Sequence, residues 1–249
     1  MLYVVNDLHG AKKLIDATTQ AISRMRPGDR LVVNGDGAGA HGPIMDQIVR
    51  VLDETLRPLA EAADKQGVKL FYVPGDGGIV PDYYLVEDTG VERTINPDMR
   101  FYQKLAYDGY FDALGVEYVP YVKALPNGVL LLSTHLLDLD EAQIDSLFKS
   151  TGIYGIWYSK VLVHYPPAIA PVGGAFYFWT PNKSDISRCK MLGKILPKLQ
   201  LTDDAMVYFG HIHLDVNDTR MDRYPSSMTF LTHGFGGCTW VKPGAVVRV

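Results

Sequence analysis

The stretch from Leu2 to Val73 restricts the fold more than any other part of the chain, because short apolar runs alternate there with longer segments of helical period. Leu2-Tyr3-Val4-Val5 reads as a buried strand. Lys12 to Arg26 carries Leu14, Ile15, Ala17, Ala21, Ile22 and Met25, the spacing of an amphipathic helix. Pro27-Gly28-Asp29 marks a turn, and Leu31-Val32-Val33 the next strand. The helical period returns from Ile44 to Lys65 through Ile48, Val51, Leu52, Leu56, Leu59 and Ala62, and Gly67 predicts a C-terminal cap. Val68 to Val73 is a third strand. Strands that alternate with helices in this way are joined by right-handed crossovers and lie parallel, so this part of the chain is α/β.

The pattern then changes. Ile79 to Gly115 has little period but holds Tyr83, Tyr84, Tyr102, Tyr107 and Tyr110. We expect an irregular or partly helical, Tyr-rich excursion around 79–115, packed by its own aromatic rings or placed as a lid over a site. Val116 to Val122 and Val129 to Leu132 predict a strand pair across Pro126-Asn127-Gly128. A short helix is expected over Asp138 to Lys149, a strand over Val161 to Val163, and a Pro/Gly/aromatic loop over Pro166 to Trp179. Ile186 to Leu199 predicts a helix, Met206 to Phe209 a strand, and Met228 to Val249 a β-meander. With no internal repeat and no linker, a single domain over 1–249 is expected.

Composition narrows the class. Apolar residues make up 47% and charged residues 21%, enough apolar material for a core and too much for intrinsic disorder. The net charge of −4 and pI near 5.9 lack the basic footprint of a general nucleic-acid binder, so long nucleic acid is a poor candidate partner. The apolar start is broken at once by Asn6, Asp7 and His9, and no run approaches the ~20 apolar residues of a membrane helix. A cytoplasmic protein with no membrane association is expected. Cys189 and Cys238 make no CxxC pair and read as small buried apolar residues with free thiols.

The chemistry gathers where the strands end. Asp7 and His9 follow the first strand, Gly35 and Asp36 the second, and Gly75 and Asp76 the third. His164 follows Val163, and Gly210, His211 and His213 follow Phe209. The carboxyl ends of strands are where open α/β sheets build sites. Asp7 and His9 stand two apart, so an extended chain points both to one side. Carboxylates and imidazoles converging on one edge need a cation to offset them. Three Asp and four His form a mixed oxygen/nitrogen set that suits Mn, Fe, Zn, Ni or Co better than Ca. Seven donors exceed one tetrahedral site and fit two divalent metals sharing a carboxylate. The alternative for Asp7 and Asp36 is capping of the helices that follow them.

Asp7-Leu8-His9, Gly35-Asp36, Gly75-Asp76, His164 and Gly210-His211-Ile212-His213, in that order, resemble the calcineurin-like metallophosphoesterases, whose pattern runs DxH, GD, GNH, H and GHxH. The resemblance spans Asp7 to His213. It implies a four-layer αββα sandwich, two mixed β-sheets face to face with helices outside. It also implies that Asp7, His9 and His213 hold one metal, that Asp76, His164 and His211 hold the other, and that Asp36 bridges them. The activity implied is hydrolysis of a phosphodiester or phosphomonoester by a hydroxide that the metals activate. A nucleotide-sized phosphorylated substrate is favoured.

Two departures matter. The third motif is Gly75-Asp76-Gly77, so the family's His, thought to protonate the leaving group, has no counterpart at Gly77. His41, just past the Asp36 loop, is the candidate catalytic residue to supply that proton, with a structural role as its alternative. The protein-phosphatase branch has GDxxDRG where this chain has Gly35-Asp36-Gly37-Ala38-Gly39-Ala40, which argues against that branch. His135 and His233 are each read as structural or as support for the ligands. Phe176, Tyr177 and Trp179, with Lys183 and Arg188, form either a packed loop or a place for a base and a phosphate. A reading from another class, motivated by the altered third motif, is a non-catalytic scaffold of the same fold that binds a protein partner.

Overall fold

The computed structural model of the chain describes residues 1–37, 50–75, 108–167, 183–211, 226–230 and 236–249. Strand β1 (Leu2–Asn6), helix α1 (Lys12–Ile22), β2 (Arg30–Asn34), α2 (Arg57–Gln66) and β3 (Lys69–Val73) follow in the expected order, with a π-helical stretch, Arg50–Leu56, leading into α2. Gly67 ends α2 at φ 68, the left-handed cap that its position predicts. Helix α1 stops at Ile22 instead of Arg26. The amides of Arg24 and Met25 bond the carbonyls three residues back, at 3.1 and 2.9 Å, and this tighter winding turns the chain out of the helix.

The second half runs α3 (Tyr110–Ala113), β4 (Val116–Tyr118), β5 (Val122–Leu125), β6 (Val129–Leu132), a 3₁₀ turn (Thr134–Asp138), α4 (Glu141–Ser150), β7 (Trp157–Val163), α5 (Lys183–Ile195), β8 (Gln200–Phe209), β9 (Ser227–Phe230), β10 (Gly237–Val241) and β11 (Val247–Arg248). Two mixed sheets result. One has the order β11-β1-β2-β3-β4, with β1 to β4 parallel and β11 antiparallel at the edge. The other has the order β5-β6-β7-β8-β10-β9, with parallel centre strands and antiparallel β5 and β9 at its edges.

Three expectations are corrected. The strand expected over Val116–Val122 is two strands in different sheets: β4 pairs with β3, and β5 pairs with β6. Pro120 sits at the break, where its missing amide cannot continue a ladder. The β5–β6 hairpin turns through Asn127 at φ 66 and Gly128 at φ 68. The C-terminal segment is not a meander, since β10 lies parallel to β8 and β11 returns to β1 in the first sheet. The helix expected from Asp138 begins at Glu141. Most of the 79–115 excursion lies outside the described residues. At its described end Phe111 is buried, stacked 4.7 Å from Tyr118 and 5.9 Å from Tyr72.

The layers follow from strand alternation. Leu2, Val4, Val32, Phe71 and Val73 of the first sheet meet Leu125, Val129, Leu131, Leu162 and Val241 of the second in one buried cluster. The alternate residues Val5, Leu31, Val33 and Leu70 pack instead under Ile15, Ile22, Leu56 and Leu59 of the first helical layer. Leu130, Leu132, Val161, Val163 and Val207 do the same under Ile144, Phe148, Leu192 and Ile195. Strands apolar on both faces are thus covered by a helix layer on one side and the opposite sheet on the other, which gives four layers.

Candidate metal centre

The parallel register brings the strand ends together. Asn6 pairs with Asn34, and Asn34 with Val73, so β1, β2 and β3 end side by side. In the second sheet Leu162 pairs with Tyr208, which places His164 beside Gly210 just past the strands. The Gly210 amide bonds the His164 carbonyl at 3.1 Å. Buried Asn34 ties the sheets at this edge: its Nδ2 donates to Asn6 Oδ1 at 3.0 Å and to the Val163 carbonyl at 2.9 Å.

Asp7, Asp36 and His164 are the centre of the site. One donor atom from each lies within 4.8 Å of the others, and all three side chains are buried. His164 Nδ1 is 3.6 Å from Asp7 Oδ1, and its Nε2 is 3.6 Å from Asp36 Oδ1. His9 Nε2 lies 3.8 Å from Asp36 Oδ2. His211 approaches from β8, its Nδ1 3.2 Å from His164 Nε2. Five of the seven expected metal ligands therefore converge. Asp76 and His213 lie outside the described residues, as do His41 and His233.

Asp7 and His9 are brought together by a coiled turn and not by the extended chain expected. Asp7 has φ 53 and His9 φ 49, and His211 also sits in the left-handed region at φ 62. Among described residues the one other non-glycine at positive φ is Asn127 in its hairpin turn. Residues other than glycine are held there at a cost of about 1–3 kcal/mol each, by surroundings that over-determine them. Here the loops bind one another: the His9 amide donates to the Asp36 carbonyl at 2.9 Å, and the Gly10 amide to the Gly37 carbonyl at 3.0 Å. Asp7 does not cap α1, whose N-cap is Ala11 with no side-chain bond. Its carboxylate accepts instead from the His211 amide, at 3.1 and 3.3 Å.

The residues fit a divalent cation on two counts. Two buried carboxylates with the His164 imidazole between them, and His9 and His211 beside them, make a mixed oxygen/nitrogen donor set of the kind divalent transition metals take. The motif glycines also make the space. A Cβ at Gly35 would overlap the His164 ring, one at Gly75 the Asp36 carboxylate, and one at Gly210 the Asp7 carboxylate.

A second tier of polar residues backs His211. Its Nε2 is 3.4 Å from Asp185 Oδ1, and the Tyr165 ring lies against it with centroids 4.1 Å apart. Tyr165 Oη donates to Asp185 at 3.1 Å and accepts from Arg188 Nη1 at 2.9 Å. Arg188 forks onto Asp138 at 2.8 and 3.0 Å. Burial works against the Arg188 charge, but its bonds to Asp138 and its place beside Tyr165 outweigh that and raise its pKa. Arg188, itself buried, is thus engaged with Asp138 and Tyr165; Phe176, Tyr177 and Trp179, the aromatic part of that expected loop, lie outside the described residues. His135 is also fully buried, and its backbone amide donates to Ser133 Oγ at 3.0 Å. Asn34, Asp138, Tyr165 and Asp185 carry no motif. For Asp185 and Tyr165 the signals were the Asp185/Arg188 spacing on one face of a helix and the position directly after His164.

No family model matches the chain, and no curated protein matches it. Among solved structures it is similar to the phosphopantetheinyl hydrolase from Mycobacterium tuberculosis, at 14% identity and a TM-score of 0.50, over 98% of this chain and 89% of that one. A protein of unknown function from Aquifex aeolicus is similar at 15% identity and a TM-score of 0.40, over 90% of this chain and 85% of that one. The first similarity supports the α/β fold of two mixed sheets with helices. Fold and site together define an α/β protein with a candidate Asp/Asp/His metal centre at its strand ends.

Proposed function

We propose that the chain is a dinuclear metallophosphoesterase of the calcineurin-like kind, hydrolysing a nucleotide-sized phosphodiester or phosphomonoester. The observation that carries this reading is the convergence of Asp7, Asp36 and His164, with His9 and His211 beside them, at the ends of strands from both sheets. The ordered motifs supply the rest: Asp7, His9 and His213 would hold one metal, Asp76, His164 and His211 the other, and Asp36 both. Bound divalent cations of the Mn, Fe, Zn, Ni or Co type would supply Lewis acidity for the phosphate and lower the pKa of water. The chain's own part is to fix the donors. The His211 amide holds the Asp7 carboxylate, and the three motif glycines leave the donors room. The solved structure of similar fold carries the name of a hydrolase of a phosphate-bearing group, which agrees with this reading. No described helix is long and apolar enough to cross a membrane.

The test is a hydrolysis screen of aryl and alkyl phosphomonoesters and phosphodiesters, with Mn, Ni, Co or Zn and with chelator. Gly77 provides no imidazole, so aryl esters should be cleaved far faster than alkyl esters; a positioned acid is worth ~10²–10⁴-fold, mostly on poor leaving groups. Chelator should abolish the activity and Mn restore it. A metal-loaded protein inert on every ester would support the scaffold reading instead.

A further inference from the structure

The described polar residues behind His211 form a chain of donors and acceptors. Arg188 has only donors, and it directs Nη1 to Tyr165 Oη at 2.9 Å. The tyrosine oxygen therefore accepts from Arg188, and its single proton is left to point at Asp185 Oδ1, 3.1 Å away. Asp185 is 4% exposed, and a carboxylate only accepts. His211 Nε2 also faces that Oδ1, at 3.4 Å. That distance is long for a hydrogen bond and within ion-pair range, and the nitrogen facing an acceptor is the one that carries the proton. In a neutral ring the lone pair then falls on Nδ1, which is 3.2 Å from His164 Nε2 and so directed at the Asp7/Asp36/His164 cluster. Arg188 is itself fixed by its fork onto Asp138.

We infer that Asp185 is a positioning residue that holds His211 as the Nε2–H tautomer, with its Nδ1 lone pair turned to the candidate metal centre. The inference rests on the metal reading above, but its first observable does not need a metal. Ligating histidines commonly give their other ring N–H to a carboxylate, and removing that partner weakens metal binding by ~10–100-fold. The Tyr165 ring stacked on His211 limits rotation of the imidazole, so the tautomer and the ring plane are set by two different contacts.

Two measurements on one set of proteins decide the matter. Long-range ¹H–¹⁵N correlation of the metal-free full chain reads the His211 tautomer. The wild type should show Nε2–H, and Asp185→Ala should show a mixture or the Nδ1–H form. Asp185→Asn should keep Nε2–H, because its amide oxygen can still accept. Asp185→Leu, apolar and of similar size, serves in place of the Ala variant if that one fails to fold. Calorimetric titration with Mn should then show a ~10–100-fold loss of affinity on removing the carboxylate. An Nδ1–H wild type, or an unchanged tautomer or Mn affinity in the Ala and Leu variants, would overturn the inference. A wild type that binds no Mn would remove the metal reading, while the tautomer still decides the role of Asp185.

Discussion

His135 shows at single-residue scale how burial is converted into pH dependence. Burial pushes its imidazole pKa down to about 4; Asp138 pulls upward and Arg188 adds to the decrease. The unfolded chain, with an ordinary value of 6.5, therefore binds the proton first as pH falls. The stabilising difference is fully present above about 6.5 and is lost progressively down to about 4, roughly 3 kcal/mol across the window. Replacing His135 by Gln, which does not titrate, should flatten urea-unfolding stability between those limits. A His135→Gln variant as acid-sensitive as the wild type would show that other groups carry the acid response. Elsewhere in the chain the Tyr118 hydroxyl and the Cys238 thiol are pushed up by burial, the thiol to about 11, so neither ionises in this range. Both Cys189 and Cys238 are buried free thiols, as composition led us to expect.

At the scale of elements, α4 is the helix whose start is best defined. Asp140 Oδ1 accepts from the Gln143 amide at 2.8 Å, and Gln143 Oε1 accepts from the Asp140 amide at 2.9 Å. Losing that box in Asp140→Ala should cost about 1 kcal/mol, read as a shift in the denaturation midpoint at unchanged slope. A shift below ~0.3 kcal/mol would mean that the packing of Ile144 and Phe148 alone sets the helix. The D-x-x-Q spacing was legible, but Asp138 drew the expected start three residues too early; its carboxylate serves Arg188 instead. Strands β1 to β3 were legible because parallel strands covered on both faces read as continuous apolar runs. Strand β8 was legible only in its buried end: Asp203 and Asp204 are exposed, and with Thr202 before them they look like loop. The split between β4 and β5 was hidden because Val116–Val122 has strand character throughout, and only Pro120 marks where the chain changes sheet. Five ligand candidates could be placed from sequence because each follows a strand. Asp185 could not, since what joins it to His211 is three-dimensional contact between segments that share no motif.

At the scale of the molecule, the site depends on the two sheets being docked. Asp7 and Asp36 leave the first sheet and His164 and His211 the second, with Asn34 bonded across to Val163 between them. The inter-sheet core of Val4, Val32, Phe71, Leu131 and Leu162 therefore holds the donors at their spacing as well as stabilising the fold. A cation held by those residues would contact both halves of the sandwich and should stabilise it, the more so the tighter it binds. In the account proposed here Asp36 neutralises two cations and Asp7 one, and that difference separates a bridged dinuclear centre from any looser cluster. Metal analysis after Mn reconstitution and dialysis, on wild type, Asp7→Asn and Asp36→Asn, tests it most directly. The account predicts about two equivalents retained by the wild type, about one by Asp7→Asn and almost none by Asp36→Asn. Equal losses from the two variants, or no metal in the wild type, would contradict it.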